Sequence, residues 1–225
     1  MLEWRQGQRL RPARAKEGES IRSRALITTV TDGYDRISMH GVRRTLLEQQ
    51  AASLGIPLEQ ILISQKATNE EYGAKMQALL ERYLLQGITK VAFGDLFLED
   101  LRKYREENLA KIGMSGVFPI WKRDTTAMAR EVISLGFRAV ICCVDSKAMD
   151  GKFVSRDFDA QFIAELPKIV DPCGENGEFH SFVYDGPIFK QRIPFEKGEI
   201  ILRDERFYYC DLIPPQPSHP TSTRK

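Results

Sequence analysis

From Ala25 to Asp145 the chain alternates short apolar or β-branched runs with longer runs at helical spacing, and this rhythm limits the available folds more than any other feature. A-L-I-T-T-V at 25–30 reads as a strand. G-V-R-R-T-L-L-E-Q-Q-A-A-S-L-G at 41–55 reads as a helix, with Val42, Leu46, Leu47, Ala51 and Leu54 on one face and Gly55 and Pro57 as its stop. Q-I-L-I-S is the next strand. Asn69 is expected to cap a helix that reaches Gln86 and ends at Gly87, and K-V-A-F-G-D at 90–95 reads as a buried strand closing in a turn. A helix over 96–112, a strand at 115–120, a helix over 125–135 and a strand at 138–145 complete the series. Strands separated by crossover helices predict an α/β chain built on a doubly wound parallel sheet.

After Asp145 the rhythm changes. Residues 157–166 read as a short helix, while S-F-V-Y-D, G-E-I-I-L-R and R-F-Y-Y-C-D-L read as strands parted by Gly and Pro turns, which predicts a smaller C-terminal α+β lobe. Residues 214–225 carry too little apolar surface to pack and are expected to form a mobile tail, with His219 exposed to solvent rather than acting as a ligand.

Several function classes drop out on composition. The chain has no apolar run long enough for a membrane-spanning helix and no apolar N-terminal stretch of the signal-peptide kind, so a cytoplasmic location is expected. Its four cysteines form no C-x-x-C pair, and Cys142 and Cys143 sit inside the apolar run A-V-I-C-C-V. They read as small buried hydrophobes, which predicts free thiols and no zinc or other metal site. The net charge of +2 is uneven: residues 1–24 hold seven Arg or Lys against three Glu, so the remainder carries 2 − 4 = −2. Beyond that basic arm nothing suggests a nucleic-acid footprint.

The densest cluster of chemistry is D-P-C-G-E-N-G-E-F-H-S at 171–181, which sets Glu175, Asn176, Glu178, His180 and Ser181 around Gly174 and Gly177. It reads either as a polar turn before a strand or as a site. If 178–182 is extended, Glu178, His180 and Phe182 face one way and Phe179 and Ser181 the other, so an acid and an imidazole share a surface.

This stretch resembles the E-x-G-E-F-H-[ST] signature of the diphthine–ammonia ligase family, a branch of the PP-loop ATP pyrophosphatases. Three further stretches agree in order and spacing: L-I-T-T-V-T at 26–31 with R-I-S-M-H-G at 36–41, F-G-D-L-F-L-E-D-L-R-K-Y-R-E at 93–106, and G-V-F-P-I-W at 116–121. Together they cover Ala25 to about Ile213. The resemblance implies an adenine nucleotide alpha-hydrolase-like fold with a nucleotide-binding α/β domain at 25–122 and a substrate-side α+β domain at 123–213. It implies AMP-forming amide synthesis, with ATP and Mg²⁺, ammonia, and a carboxylate acceptor that is free or carried on a protein. Glu178, His180 and Asp95 are implied as catalytic residues, and Thr29, Val30, Gly94 and Asp95 as nucleotide contacts. Arg36, His40, Asp100, Arg102, Glu175, Asn176 and Gly177 are implied on the substrate side. By residue type alone, His40 reads equally as a helix-start residue, Gly94 and Asp95 as a tight turn, and Asp100 and Arg102 as solvated helix charges.

One expected motif is absent. The resemblance predicts a strand and S-G-G-K-D-S about a helix's length before L-I-T-T-V, because a glycine loop opening a helix presents backbone N–H groups to phosphates. Residues 1–24 contain neither. Read from the second base of each codon, however, Glu3 to Gln8 permit S-G-G-K-D-S, Leu2 permits Trp before it, and Arg9 to Pro12 permit A-C-A-L after it. A compensating shift would fall between about Arg14 and Ala25. The expected fold therefore lacks its first strand, and the expected activity is impaired. The alternative is a non-enzymatic binding protein, or a degenerate fragment, that keeps the acceptor-side loop.

Overall fold

The computed structural model describes residues 23–33, 35–37, 40–65 and 67–215. The expectations for the arm up to residue 22 and for the tail from residue 216 lie outside the described residues.

Strand β1 (Leu26–Thr31) pairs in parallel with β3 (Leu58–Ile63), from Leu26 opposite Leu58 to Thr31 opposite Ile63. A two-residue strand, β2 (Arg36–Ile37), runs antiparallel to the end of β1, opposite Val30 and Thr31. Helix α1 (Arg44–Leu54) provides the crossover and stops at Gly55, whose φ of 69° places it in the left-handed region that glycine enters without a Cβ clash. Helix α2 (Asn69–Leu84) is capped by Thr68, one residue before the expected Asn69; its hydroxyl oxygen accepts from the Glu71 N–H at 3.2 Å. Glu70 and Glu71 then occupy the first turn, where the helix dipole favours negative charge.

Strand β4 (Lys90–Ala92) pairs in parallel with β5 (Ser115–Val117), with helix α3 (Glu99–Lys111) between them. The expected buried strand over 90–95 is shorter and more open: Lys90 and Ala92 are exposed, and the chain turns at Gly94 to bury Asp95 and Leu96 instead. The parallel strands fall into two ladders, β2-β1-β3 and β4-β5, so a single doubly wound sheet is not what the described residues form. The two ladders share a small core in which Ile27 of β1 and Val91 of β4 pack around Leu80, Leu109 and Met114.

Helix α4 (Thr125–Ser134) leads to β6 (Arg138–Asp145), whose range matches the expectation but whose place does not. Rather than extending the parallel alternation, β6 sits inside an antiparallel sheet of order β7-β6-β9-β8, with β7 (Phe179–Asp185), β8 (Glu196–Arg203) and β9 (Phe207–Ile213). A continuous apolar run reports that both faces are covered, and β6 is buried from Ala139 to Asp145, but it does not report pairing direction. The fold is thus mixed α/β, with parallel ladders and a separate antiparallel sheet.

The main core lies against that sheet. Leu46 and Leu47 of α1, Met128 and Val132 of α4, and Phe162 of α5 (Ala160–Glu165) pack in one cluster with Val140, Ile141 and Val144. Phe162 meets Phe153, Phe158 and Phe179 with ring centroids 5.9, 5.6 and 5.3 Å apart. Helix α1 is also tied to the sheet by polar contacts, since Gln50 donates to the Val183 carbonyl at 2.6 Å. Among the described residues no helix is long and apolar enough to cross a membrane. All four cysteines are free thiols.

Candidate functional site

The 171–178 stretch folds around its own glutamate. Glu178 is 7% exposed, and its carboxylate accepts from the Asp171 N–H at 3.0 Å, the Asn176 N–H at 3.0 Å and the Asn176 side-chain amide at 2.9 Å. Gly174 and Gly177 take φ values of 67° and 85°, so the loop curls through two positions that other residues seldom occupy. Asp171 contributes a further cap, accepting from the Cys173 N–H at 2.9 Å. Glu178 therefore organises the loop, and its carboxylate points inward rather than alongside His180.

The expected facing of 178, 180 and 182 is altered by a bulge in β6. Phe182 lies opposite Val140 and Ser181 opposite Ile141, but His180 lies opposite Cys143, so Cys142 is the extra residue. Bulges re-aim side chains locally. Phe179 and Phe182 both enter the core, while His180 and Ser181 both line a cleft.

The space between the walls of that cleft, its open mouth included, is about 570 Å³. Its apolar wall includes Met128, Val132, Phe158 and Phe179, and its polar side carries His40, Glu175, His180 and Ser181. His40 and His180 meet with ring centroids 4.3 Å apart, although 140 residues separate them in sequence. His40 is 5% exposed, and burial, reinforced by His180, holds its pKa well below the ordinary value. Burial likewise lowers His180 to about 4. Both rings are uncharged at neutral pH, each offering one N–H donor and one acceptor nitrogen. Proton transfer by His180 near neutrality would require a bound anion to raise its pKa.

Because folding lowers these pKa values, the unfolded chain binds more protons between about pH 4 and 6.5, and stability falls as pH drops through that window. Between pH 7 and pH 4.5 the share of that loss due to His180 is about 2 kcal/mol. Denaturant unfolding at pH 7 and pH 4.5 should differ by at least that amount, and His180→Gln should shrink the difference. Equal stabilities at the two pH values would exclude a buried neutral pair.

The other expected site residues divide into those near the cleft and those committed elsewhere. Gly94 lines the cleft, and Glu175 bridges to the same turn by accepting from the Leu96 N–H at 2.6 Å. Asp95 is 2% exposed and held by Arg105, with Nε to Oδ2 at 2.8 Å and the terminal nitrogen to Oδ1 at 3.2 Å. Arg102 pairs with Glu106 at 2.9 Å and lies over the rings of Phe118 and Trp121 at 4.5 and 4.7 Å. Asp100 is exposed in the first turn of α3, and Asn176 is exposed on the loop beside Gly177. Thr29 and Val30 lie in the second half of β1, Val30 only 2% exposed, and neither lines the cleft. Arg36 is bound to Asp211 at 2.9 Å and to the Gly41 carbonyl at 2.7 Å.

Three residues near the site had not been singled out. Cys173 lines the cleft, its pKa pushed up to about 12 chiefly by burial, so it is a thiol rather than a nucleophilic thiolate. Tyr209 and Asp211 support the His40 loop from β9. A carboxylate inside the apolar run F-Y-Y-C-D-L-I was the available signal, because such a group needs partners when the strand is covered. Among the described residues no group of three or more His, Cys, Asp or Glu side chains is placed to hold a metal ion.

Residues 124–212 match the family model of the diphthamide synthase C-terminal domain. The chain is 26% identical over 202 residues to the human (Homo sapiens) diphthine–ammonia ligase, a match covering 86% of this chain and 73% of the human protein. The Bos taurus protein of the same name is 25% identical over 190 residues, covering 76% of this chain and 70% of the relative. The Danio rerio one is 28% identical over 114 residues, covering 48% and 45%.

Proposed function

We propose that this chain is a member of the diphthine–ammonia ligase family, which its similarity to that family's C-terminal domain and to the relatives above supports, and that it uses the cleft around His40 and His180 as the acceptor side of an ATP-dependent, AMP-forming amide ligase. One observation carries this reading: all four stretches behind the resemblance converge on one cleft. His40 comes from the first, Gly94 and Leu96 from the second, Ile120 from the third, and Glu175, His180 and Ser181 from the fourth. Core packing explains why Ile37, Ile120 and Phe179 share a cluster, but it does not require His40, Glu175, His180 and Ser181 to gather at one concavity, whereas a site does.

In the proposed reaction an acceptor carboxylate attacks the α-phosphorus of ATP and pyrophosphate leaves. Ammonia then attacks the acyl-adenylate, an amide forms, and AMP departs. The apolar wall of Met128, Val132, Phe158 and Phe179 would keep water from hydrolysing the activated acyl group. His40 and His180 would orient the acceptor carboxylate through N–H donors, and being uncharged they would do so without neutralising the nucleophile. Gly94, lacking a side chain, would leave room for the adenylate at the nucleotide edge, and Glu175 would hold the 171–178 loop against it through Leu96. The described residues do not form a dedicated Mg²⁺ site, and none of these roles involves the ion.

The same reading divides the chain into a nucleotide side at 25–122 and an acceptor side at 123–213. The placement of β1 and β4 in separate ladders around one small core supports a missing element between them. With no S-G-G-K-D-S in the present frame, ATP binding should be weak, and calorimetry with Mg-ATP should give little heat. Micromolar affinity would contradict this. The acceptor assignment is tested in a chain carrying the restored motif. There His180→Ala should abolish acceptor-dependent AMP release while leaving ATP affinity within about threefold, and equal loss of both would refute a separate acceptor role.

A further inference from the structure

The loop that delivers His40 is gripped from outside the cleft. Asp211 on β9 accepts from Arg36 at 2.9 Å and from Arg43 Nε and its terminal nitrogen at 3.0 and 2.7 Å, so one carboxylate spans both stems of the 36–43 loop. The stems are joined to each other as well. Arg36 and Arg43 form an antiparallel bridge, the Ile37 N–H donates to the Val42 carbonyl at 2.8 Å, and Arg36 reaches the Gly41 carbonyl at 2.7 Å. Two residues before Asp211 on the same strand face, the Tyr209 ring lies against Gly41 so closely that a Cβ there would stand 2.7 Å from it. Tyr209 is opposite Cys143, and Cys143 is opposite His180, so the seat of the loop and the second imidazole share one row across three strands. The Asp211 side chain is only 20% exposed, which distinguishes this contact from a solvated surface ion pair.

We propose that Asp211 is a positioning residue, which by clamping Arg36 and Arg43 seats the 36–43 loop on Tyr209 and thereby holds His40 against His180 across the cleft. Its consequence for catalysis rests on the acceptor-site reading above. The geometry does not, and the experiment reads the geometry alone.

The chain as it stands contains three histidines, so the imidazole resonances of His40 and His180 can be followed by NMR titration, with His219 as a third signal. The groups facing the pair are Cys143 and Tyr209 from the antiparallel sheet, Cys173 and Glu175 from the 171–178 stretch, and the Asp95–Arg105 pair beside Gly94. None is altered in Asp211→Ala. Removing a carboxylate from between two guanidinium groups leaves positive charge that by itself lowers a nearby imidazole pKa, whereas releasing the loop hydrates the rings and raises it. The sign therefore separates positioning from a through-space charge effect. We expect Asp211→Ala to raise the His180 midpoint from about 4 by roughly one unit or more, with His40 rising alongside. Asp211→Glu should restore low midpoints, and Glu165→Gln, which breaks the remote Arg156–Glu165 pair, should leave them unchanged. Unchanged or lowered midpoints in Asp211→Ala would overturn the proposal. Should that variant fail to fold, Arg43→Lys keeps the charge but loses the fork and carries the same two outcomes.

Discussion

Recoding Glu3 to Gln8 to read S-G-G-K-D-S, with Trp before it and A-C-A-L after it, is expected to raise AMP release from ATP by at least about 100-fold over the present chain. The glycines would let the loop close on phosphate so that backbone N–H groups at a helix start point at the anion, and the lysine would offset charge on the leaving pyrophosphate. Donors of this kind act where charge develops, and losing one such group typically costs a factor of about 100 to 1,000. The present chain has neither the glycines nor the lysine at that place. Thermal stability should rise with activity, because the core shared by the two parallel ladders is small and a helix with apolar residues would enlarge it. The comparison is AMP release and melting temperature for the original and recoded chains. A recoded chain that is well folded yet neither binds nor cleaves ATP would refute the frame-shift reading and favour the non-enzymatic binding protein.

Glu178→Ala should destabilise the chain by about 3–5 kcal/mol, the largest effect expected from a single substitution near the cleft. The carboxylate satisfies three donors, the N–H groups of Asp171 and Asn176 and the Asn176 amide, inside a loop where Glu178 is 7% exposed. An alanine leaves those donors without their acceptor, at about 1–3 kcal/mol for each one that water cannot reach. In a chain of 225 residues this corresponds to a melting temperature lowered by roughly 6–20 °C. Glu178→Gln should cost less, because one side-chain oxygen still accepts. The loop also sends Glu175 to Leu96, so Glu178→Ala should loosen the acceptor edge of the cleft as well. A Glu178→Ala protein as stable as the parent would show that solvent, rather than the carboxylate, satisfies those donors.

Several elements were legible because their causes are local. Gly55 ends α1 as its position after an apolar helical face requires, and β6 occupies the expected 138–145. Thr68 displaced Asn69 as the cap of α2 because either residue type can accept from a first-turn N–H, and only backbone geometry selects between them. The short β4 and the antiparallel surroundings of β6 were not legible. Hydrophobic runs report burial on one or both faces, while strand direction and ladder length depend on what packs alongside.

The candidate site divides in the same way. Sequence by itself determined the chemistry available: the E-N-G-E-F-H-S cluster, His40 before a helix, a glycine and an acid after a strand, and the absence of a phosphate loop from residues 1–24. Those follow from residue type and near-neighbour spacing, which tertiary contacts cannot change. Only the tertiary structure decided the use of each group. It turned Glu178 onto its own loop, gave Asp95 to Arg105 and Arg36 to Asp211, and set His40 against His180 in a buried, uncharged pair. A carboxylate or guanidinium goes to the partner that best repays its desolvation, and that partner lies 175 residues away for Arg36 and 140 for His40, beyond the reach of any local pattern.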